Sequence, residues 1–245
     1  MARLCLEHVS VHLPVLGARG HSLKHRLLAS ATGGHIGRES GTTVIEALND
    51  ISLDLRDGDR LGVSGHNGAG KTTLLRVLSG AYPPTSGQRT ASGRVASMID
   101  PTLGIEPEGT GYENILLRGI TMGMGRAQIR RMRDEIAEFS GLGEYMAMPV
   151  RTYSTGMLMR LAFSITTAVP ADILLMDEWM SVGDAEFRVQ AESRMRALVS
   201  GSGILVLASH SQDLIRRECT RAITLQHGTV VADQPVVPAA RAGTP

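Results

Sequence analysis

Apolar and polar positions change rhythm repeatedly along this chain. Arg3 to Val11 alternates in part, as a half-buried strand does. Pro14 to Thr43 is rich in Gly, Ser and His and reads as irregular, with a short helix at Leu23 to Ala29. Val44 to Leu55 is strand-like again, and Asp57-Gly58-Asp59 breaks it with a turn. Arg60 to Ser64 is a short strand running into glycines. Thr72 to Leu78 reads as a helix, closed by Gly80 and Pro83-Pro84. Gly104 to Gly125 reads as loop-rich. Gln128 to Leu142 is helical, with Ile129, Met132, Ile136 and Phe139 on one stripe. Gly156 to Ala168 is a further helix, stopped before Pro170. Ile173 to Met176 is a short apolar run with an acidic end, as in a buried parallel strand. Asp184 to Val199 is helical, with Phe187, Ala191, Met195 and Leu198 in line. Gly203 to Ala208 is a second buried strand, and Arg221 to Asp233 a hairpin around His227-Gly228.

Strands alternating with helices predict an α/β fold on a mainly parallel sheet. The stretch from about 101 to 169 shows no convincing strand and predicts a helical insert. The 245 residues suit one domain over 1–245, with a loose Pro/Ala-rich tail from about 235.

Composition narrows the class. Hydrophobic residues make up 42% and charged residues 20%, enough for a sizeable core, and a net charge of +1 argues against a nucleic-acid partner. Cys5 and Cys219 have no metal or redox spacing and read as buried thiols in a reducing compartment. The N-terminus lacks the apolar core of a signal peptide, and no stretch approaches 18 apolar residues. The expected place is therefore the cytosol. Of 25 basic residues only Lys24 and Lys71 are lysine. Lys71 sits among glycines, where a slim point charge fits between phosphates better than a planar guanidinium does.

That glycine-rich run is Gly65-His66-Asn67-Gly68-Ala69-Gly70-Lys71-Thr72, followed by Thr73. It fits G-x-x-x-x-G-K-S/T between a strand and a helix, the context a P-loop requires. The glycines let backbone N–H groups turn inward around phosphate oxygens, and the helix start adds its positive end. Lys71 is expected to neutralise the β- and γ-phosphates of ATP, and Thr72 to bind Mg²⁺. Ile173 to Glu178 ends an apolar strand in two acids at the sheet edge where ligands bind. Asp177 is expected to hold Mg²⁺ and Glu178 to polarise the attacking water. His210, after the last parallel strand, fits either a surface residue or a hydrogen-bond donor to the γ-phosphate. Ser154-Thr155-Gly156-Met157 begins a helix; Ser154 is a candidate cap and Gly156 permits close backbone approach. This is either an ordinary capped helix or a second anion-binding helix start.

In order and spacing these segments resemble ABC ATPases over nearly the whole chain. The resemblance implies a core ATPase subdomain with an N-terminal antiparallel β portion, plus a helical subdomain. It implies a head-to-tail dimer of two copies, each ATP lying between one P-loop and the other copy's Ser154 to Met157. It makes Glu178 the catalytic base, His210 a switch histidine, and Asp184 part of a dimer-contact loop. The Tyr-Ser-Thr-Gly-Met form of the signature is similar to ATP-binding subunits of capsule, O-antigen and teichoic-acid exporters. So are Arg151-Thr152 before it, Arg160 to Phe163 after it, Thr110 to Ile115, and Gly183-Asp184-Ala185 with Phe187. The implied partners are an integral membrane permease and, through it, a lipid-linked glycan, which places the chain at the cytoplasmic face of the cell membrane. Transport of a lipid, drug or solute, or a mechanical ABC ATPase, are the rival readings.

Two departures from the family pattern stand out. The glutamine that usually opens the insert is replaced by Asp100-Pro101, so either Asp100 serves Mg²⁺ through water or the coupling to Mg²⁺ runs differently. No aromatic stands where adenine is usually stacked; His12 and Leu13 occupy that region, and the base is expected to be held by His12 or only loosely. Residues 19–38 gather Arg19, His21, Lys24, His25, Arg26, His35 and Arg38 with no acid; this is either a basic face suited to permease or a carrier-lipid pyrophosphate, or a solvated surface loop.

Overall fold

Fifteen residues from Thr42 to Arg56 form the longest strand of the computed structural model, which describes residues 1–14, 35–39, 42–100, 102–178 and 185–236. That strand, β3, lies between β1 (Arg3–Pro14) and β2 (His35–Glu39), both antiparallel to it. β5 (Ser86–Ser92) pairs with the free side of β1, giving the order β2-β3-β1-β5. The register of β1 on β3 slips three times, between Leu6 and Val9, Val9 and Val11, and Val11 and His12. Each slip is a bulge that bends and twists the ribbon.

A second sheet carries the apolar runs. Five of its strands run in the order β10-β9-β4-β8-β7, with β4 at Arg60–Ser64, β7 at Ile173–Asp177, β8 at Ile204–Ala208, β9 at Arg221–Gln226 and β10 at Thr229–Pro235. β9, β4, β8 and β7 are parallel, and β10 closes antiparallel on β9. All five residues of β8 are buried, as a strand covered on both faces requires. The register aligns the carboxyl ends: Val63 and Asp177 both face Ala208. The segments after β4, β7 and β8 therefore emerge along one edge. α1 (Lys71–Ser79) comes after β4 and buries Leu74, Leu75, Val77 and Leu78. α6 (Gln212–Glu218) comes after β8, capped by the Ser211 hydroxyl, which accepts from Leu214 N–H.

Both sheets belong to one compact unit, made of residues 1–95, 172–178 and 203–236 where described. β6 (Val95–Met98) leads the chain into a second, comprising 96–171 and 185–202. Its helices are α2 (Gly111–Thr121), α3 (Arg126–Ser140), α4 (Thr155–Thr167) and α5 (Ala185–Gly201). Ile115, Ile129, Ile136, Leu161 and Ile165 make its core, beside a cluster of Phe139, Phe163 and Phe187 with ring centroids 5.5–6.3 Å apart. The second unit thus includes α5, which lies well beyond residue 169.

Helix α2 corrects the loop expected over Gly104 to Gly125. Thr110 accepts from Glu113 N–H while the Glu113 carboxylate accepts from Thr110 N–H, a complete capping box. Asn114, fully buried, pins the preceding loop: its amide accepts from Glu106 N–H and donates to the Glu106, Gly109 and Thr110 carbonyls. The Thr110 to Ile115 segment therefore has a structural reason of its own. The short helix expected at 23–29, most of the basic segment 19–38, Asp184 and the tail from 237 lie outside the described residues.

Candidate nucleotide site

The loop after β4 is built where side chains do not fit. Gly65 has φ +148°, and a Cβ there would strike the Leu225 carbonyl oxygen. Gly70 has φ +105°, with the Ala47 carbonyl 2.7 Å from where its Cβ would stand. Only glycine takes both constraints. Gly70 serves as the N-cap of α1 without a side-chain cap, so the first turn presents backbone N–H groups and the helix dipole to the space in front of it. That space is a cavity of about 350 Å³ lined by Asn67, Gly68, Gly70, Lys71, Thr72 and Thr73 from the loop and helix. Asp177, Glu178 and His210 line its far side, and Leu13, Ile45 and Ala47 one flank.

Every cationic and metal-binding candidate here is already engaged within the chain. Lys71 Nζ donates to Gly65 O at 2.8 Å and His66 O at 3.1 Å, and lies 3.3 Å from His210 Nε2. An ammonium only donates, so Nε2 accepts and the ring proton of His210 sits on Nδ1. Burial pushes the Lys71 ammonium below its ordinary value, while Asp177 and Glu178 draw it back up. Thr72 Oγ1 donates to Asp177 Oδ2 at 2.6 Å. One hydroxyl and one carboxylate oxygen side by side are a donor set for a hard cation such as Mg²⁺.

Glu178 stands on strained backbone, φ 65°, worth about 1–3 kcal/mol for a residue with a Cβ. Its N–H donates to Ala208 O at 2.8 Å, and its carboxylate accepts from His210 N–H at 3.0 Å. The turn after β8 thus holds the acid with its backbone and Lys71 with its imidazole.

His12, expected to hold the base, does not line this cavity. Leu13 lines the cavity with Ile45, its partner across the sheet, while His12 is paired to Glu46, with Nε2 3.7 Å from Oε1. Adjacent strand residues face opposite ways, so when Leu13 turns to the cavity His12 turns from it. That flank of the cavity is aliphatic: Leu13, Ile45 and Ala47. Asp100 belongs to the second unit, where its carboxylate accepts from Thr102 N–H and Oγ1 at 3.1 and 2.8 Å. It also offsets the burial that lowers the pKa of Arg118. Ser154 is in the second unit too; its hydroxyl accepts from Met157 N–H at 3.2 Å as the N-cap of α4, and Ser154, Thr155 and Gly156 are exposed.

The family profile described as ABC transporter matches residues 48–181, from β3 through the cavity acids and beyond. The chain belongs to the ABC transporter family. Among relatives of this ABC ATPase, the O-antigen export system ATP-binding protein RfbE of Yersinia enterocolitica is 43% identical over 94% of this chain and 97% of its own length. The protein RfbB of Myxococcus xanthus, of the same description, is 40% identical, but the chain spans only 47% of its length. The teichoic acids export ATP-binding protein TagH of Listeria innocua is 36% identical over 75% of this chain and 55% of its own. The fold matches the dimeric ATP-binding cassette MJ0796 in a post-hydrolysis state with ADP and Pi, at a TM-score of 0.67 and 19% identity, covering 95% of this chain and 98% of that one.

Proposed function

We propose that this ABC ATPase hydrolyses Mg²⁺-ATP to drive a cell-surface polysaccharide, O-antigen- or capsule-like and lipid-linked, through a separate membrane permease. The observation that carries the chemistry is the convergence of Lys71, Thr72, Asp177, Glu178 and His210 on one cavity at the carboxyl edge of the parallel sheet. The cargo class rests on the Yersinia O-antigen relative, which the chain matches nearly end to end.

In this reading the triphosphate lies over the N-terminus of α1, and Lys71 exchanges its carbonyl partners for β- and γ-phosphate oxygens. Thr72 and Asp177 hold Mg²⁺, which supplies charge compensation to the phosphates. Glu178 orients water and accepts its proton, and His210, once Lys71 has left its Nε2, shifts its ring proton to that nitrogen and donates to the γ-phosphate. Adenine packs on Leu13, Ile45 and Ala47. A second copy of the chain completes the site with Ser154 to Met157. Among the described residues a Cβ on Gly156 would meet only Ser154 Oγ, at 3.9 Å, so none of them demands glycine there. Close approach by a nucleotide held on another copy does. No described helix is long and apolar enough to cross a membrane, which fits a separate permease as the conduit.

The test is to isolate the chain from membranes in mild detergent and identify the permease that accompanies it. ATPase activity of that complex should rise on adding lipid-linked glycan. Stimulation by an unrelated lipid or drug, with none from the glycan, would overturn the cargo assignment and leave the ATPase assignment standing.

A further inference from the structure

Two histidines meet at the rim of the nucleotide loop, and the ring of neither takes part in the phosphate chemistry of Lys71 and Glu178. His66 lies in the loop, and His227 in the turn between β9 and β10. Their ring centroids are 5.1 Å apart, with planes inclined by 58°. Both residues are exposed. The backbones beneath them are tied: Gly228 N–H donates to Ala69 O at 3.0 Å, and Gly228 O accepts from Asn49 N–H at 2.9 Å. The ring pair therefore rests on two segments held in register.

The tautomer of His66 is set by its neighbour. Nδ1 lies 2.8 Å from the Asn67 carbonyl oxygen, which can only accept. Nδ1 carries the proton, and in the neutral ring Nε2 keeps its lone pair. Metal-binding imidazoles are set up in this way, one nitrogen donating to a carbonyl and the other left to ligate. No group of three or more His, Cys, Asp or Glu side chains suited to a metal occurs among the described residues. Two imidazoles leave the remaining coordination positions to water or to an anion such as a phosphate.

We propose that His66 and His227 form a two-imidazole site for a borderline divalent transition metal ion of the Zn²⁺ class, bridging the nucleotide loop to the β9–β10 turn. Imidazole nitrogen selects such ions over Mg²⁺, which takes oxygen donors. The site is thus chemically distinct from the Thr72–Asp177 oxygen pair. Occupation has a consequence for nucleotide. His66 O accepts from Lys71 Nζ, so a metal that fixes His66 also holds Lys71 in its resting bonds. Zn²⁺ is an inhibitor in this scheme, acting on nucleotide entry.

The probe is Zn²⁺ alone, measured by equilibrium dialysis and elemental analysis on the full chain after EDTA stripping. One Zn²⁺ per chain should be lost, or bind at least about tenfold more weakly, in His227→Asn and separately in His66→Gln, since each removes one of two ligands. Asparagine suits the positive φ of 48° at position 227. Millimolar Mg²⁺ should not displace the ion. Micromolar Zn²⁺ should raise KM for Mg²⁺-ATP several-fold in the wild type and not in His227→Asn, whose activity in EDTA stays at the wild-type level. In the wild type, Zn²⁺ should shield His66 and His227 together from diethyl pyrocarbonate, mapped by mass spectrometry, whatever the folding of the variants. Unchanged Zn²⁺ stoichiometry and affinity in both variants, or modification of His66 and His227 indifferent to Zn²⁺, would overturn the site. Neither result touches the ATPase assignment, because dialysis and modification need no turnover.

Discussion

Replacing Glu178 with glutamine separates a chemical role from a structural one. Glutamine has the same shape and meets the same backbone, φ 65°, so that strain is common to both proteins and cancels. The bond from His210 N–H, 3.0 Å from Oε1, survives on the amide oxygen. At the other end Ser209 Oγ lies 3.5 Å from Oε2, and its hydroxyl turns to accept from the new amide nitrogen. The net change in fold stability should stay within about 1 kcal/mol, moving Tm by no more than about 4 °C. What glutamine cannot do is take a proton from water. Loss of a positioned general base lowers turnover by about 10²–10⁴, equivalent to about 3–5 kcal/mol of barrier. Steady-state phosphate release gives kcat, and a fluorescent nucleotide gives Kd, which should change by less than about threefold. A kcat within tenfold of the wild type would remove Glu178 from the chemistry. Equal losses in kcat and nucleotide affinity, with a fallen Tm, would make its role structural.

Two other substitutions or treatments probe the frame. Gly70→Ala forces a Cβ into a left-handed position 2.7 Å from the Ala47 carbonyl; about 2–3 kcal/mol of destabilisation and a Tm lower by about 5–10 °C are expected, with nucleotide binding lost. An unaltered melting curve would show that the loop relaxes freely. Burial pushes the Cys219 thiol up to about 12, so the reactive thiolate appears only as pH rises toward that value. Cys219 should resist iodoacetamide at pH 8 in the folded protein and react once it is unfolded; labelling of native protein at the rate of a free thiol would contradict the burial.

The parts legible in the sequence are those where one short run sets both structure and chemistry. β4 begins and ends where its apolar run does, and β7 closes one residue beyond its own, because buried parallel strands admit little else between Gly and acid boundaries. The glycine loop was legible for the same reason. Helix α2 was hidden by Gly111 and Gly119, which suggest a loop, although Thr110 and Glu113 spell its capping box three residues apart. Helix α6 has a similar signal in Ser211 but only seven residues, too few for a periodic stripe. The choice between His12 and Leu13 was beyond the sequence. It depends on bulges in the pairing of β1 with β3, and each one-residue slip exchanges the faces of the strand. Strand β5, nearly all exposed and built from Ser, Gly, Gln, Arg, Thr and Ala, carries no apolar alternation and exists by pairing with β1.

The bonds that Lys71 and Thr72 make at rest set the terms on which any anion enters. All three N–H groups of Lys71 have acceptors within 3.3 Å, and the Thr72 hydroxyl is committed to Asp177. For these two side chains binding is an exchange of bonds, while the backbone N–H groups at the start of α1 gain new ones. Under the proposed function, a triphosphate with its metal would replace the set together, so the exchange becomes more favourable as the number of linked phosphates rises. A preference for linked phosphates over small anions would then need no gate over the cavity; it would come from the contacts Lys71 and Thr72 already hold.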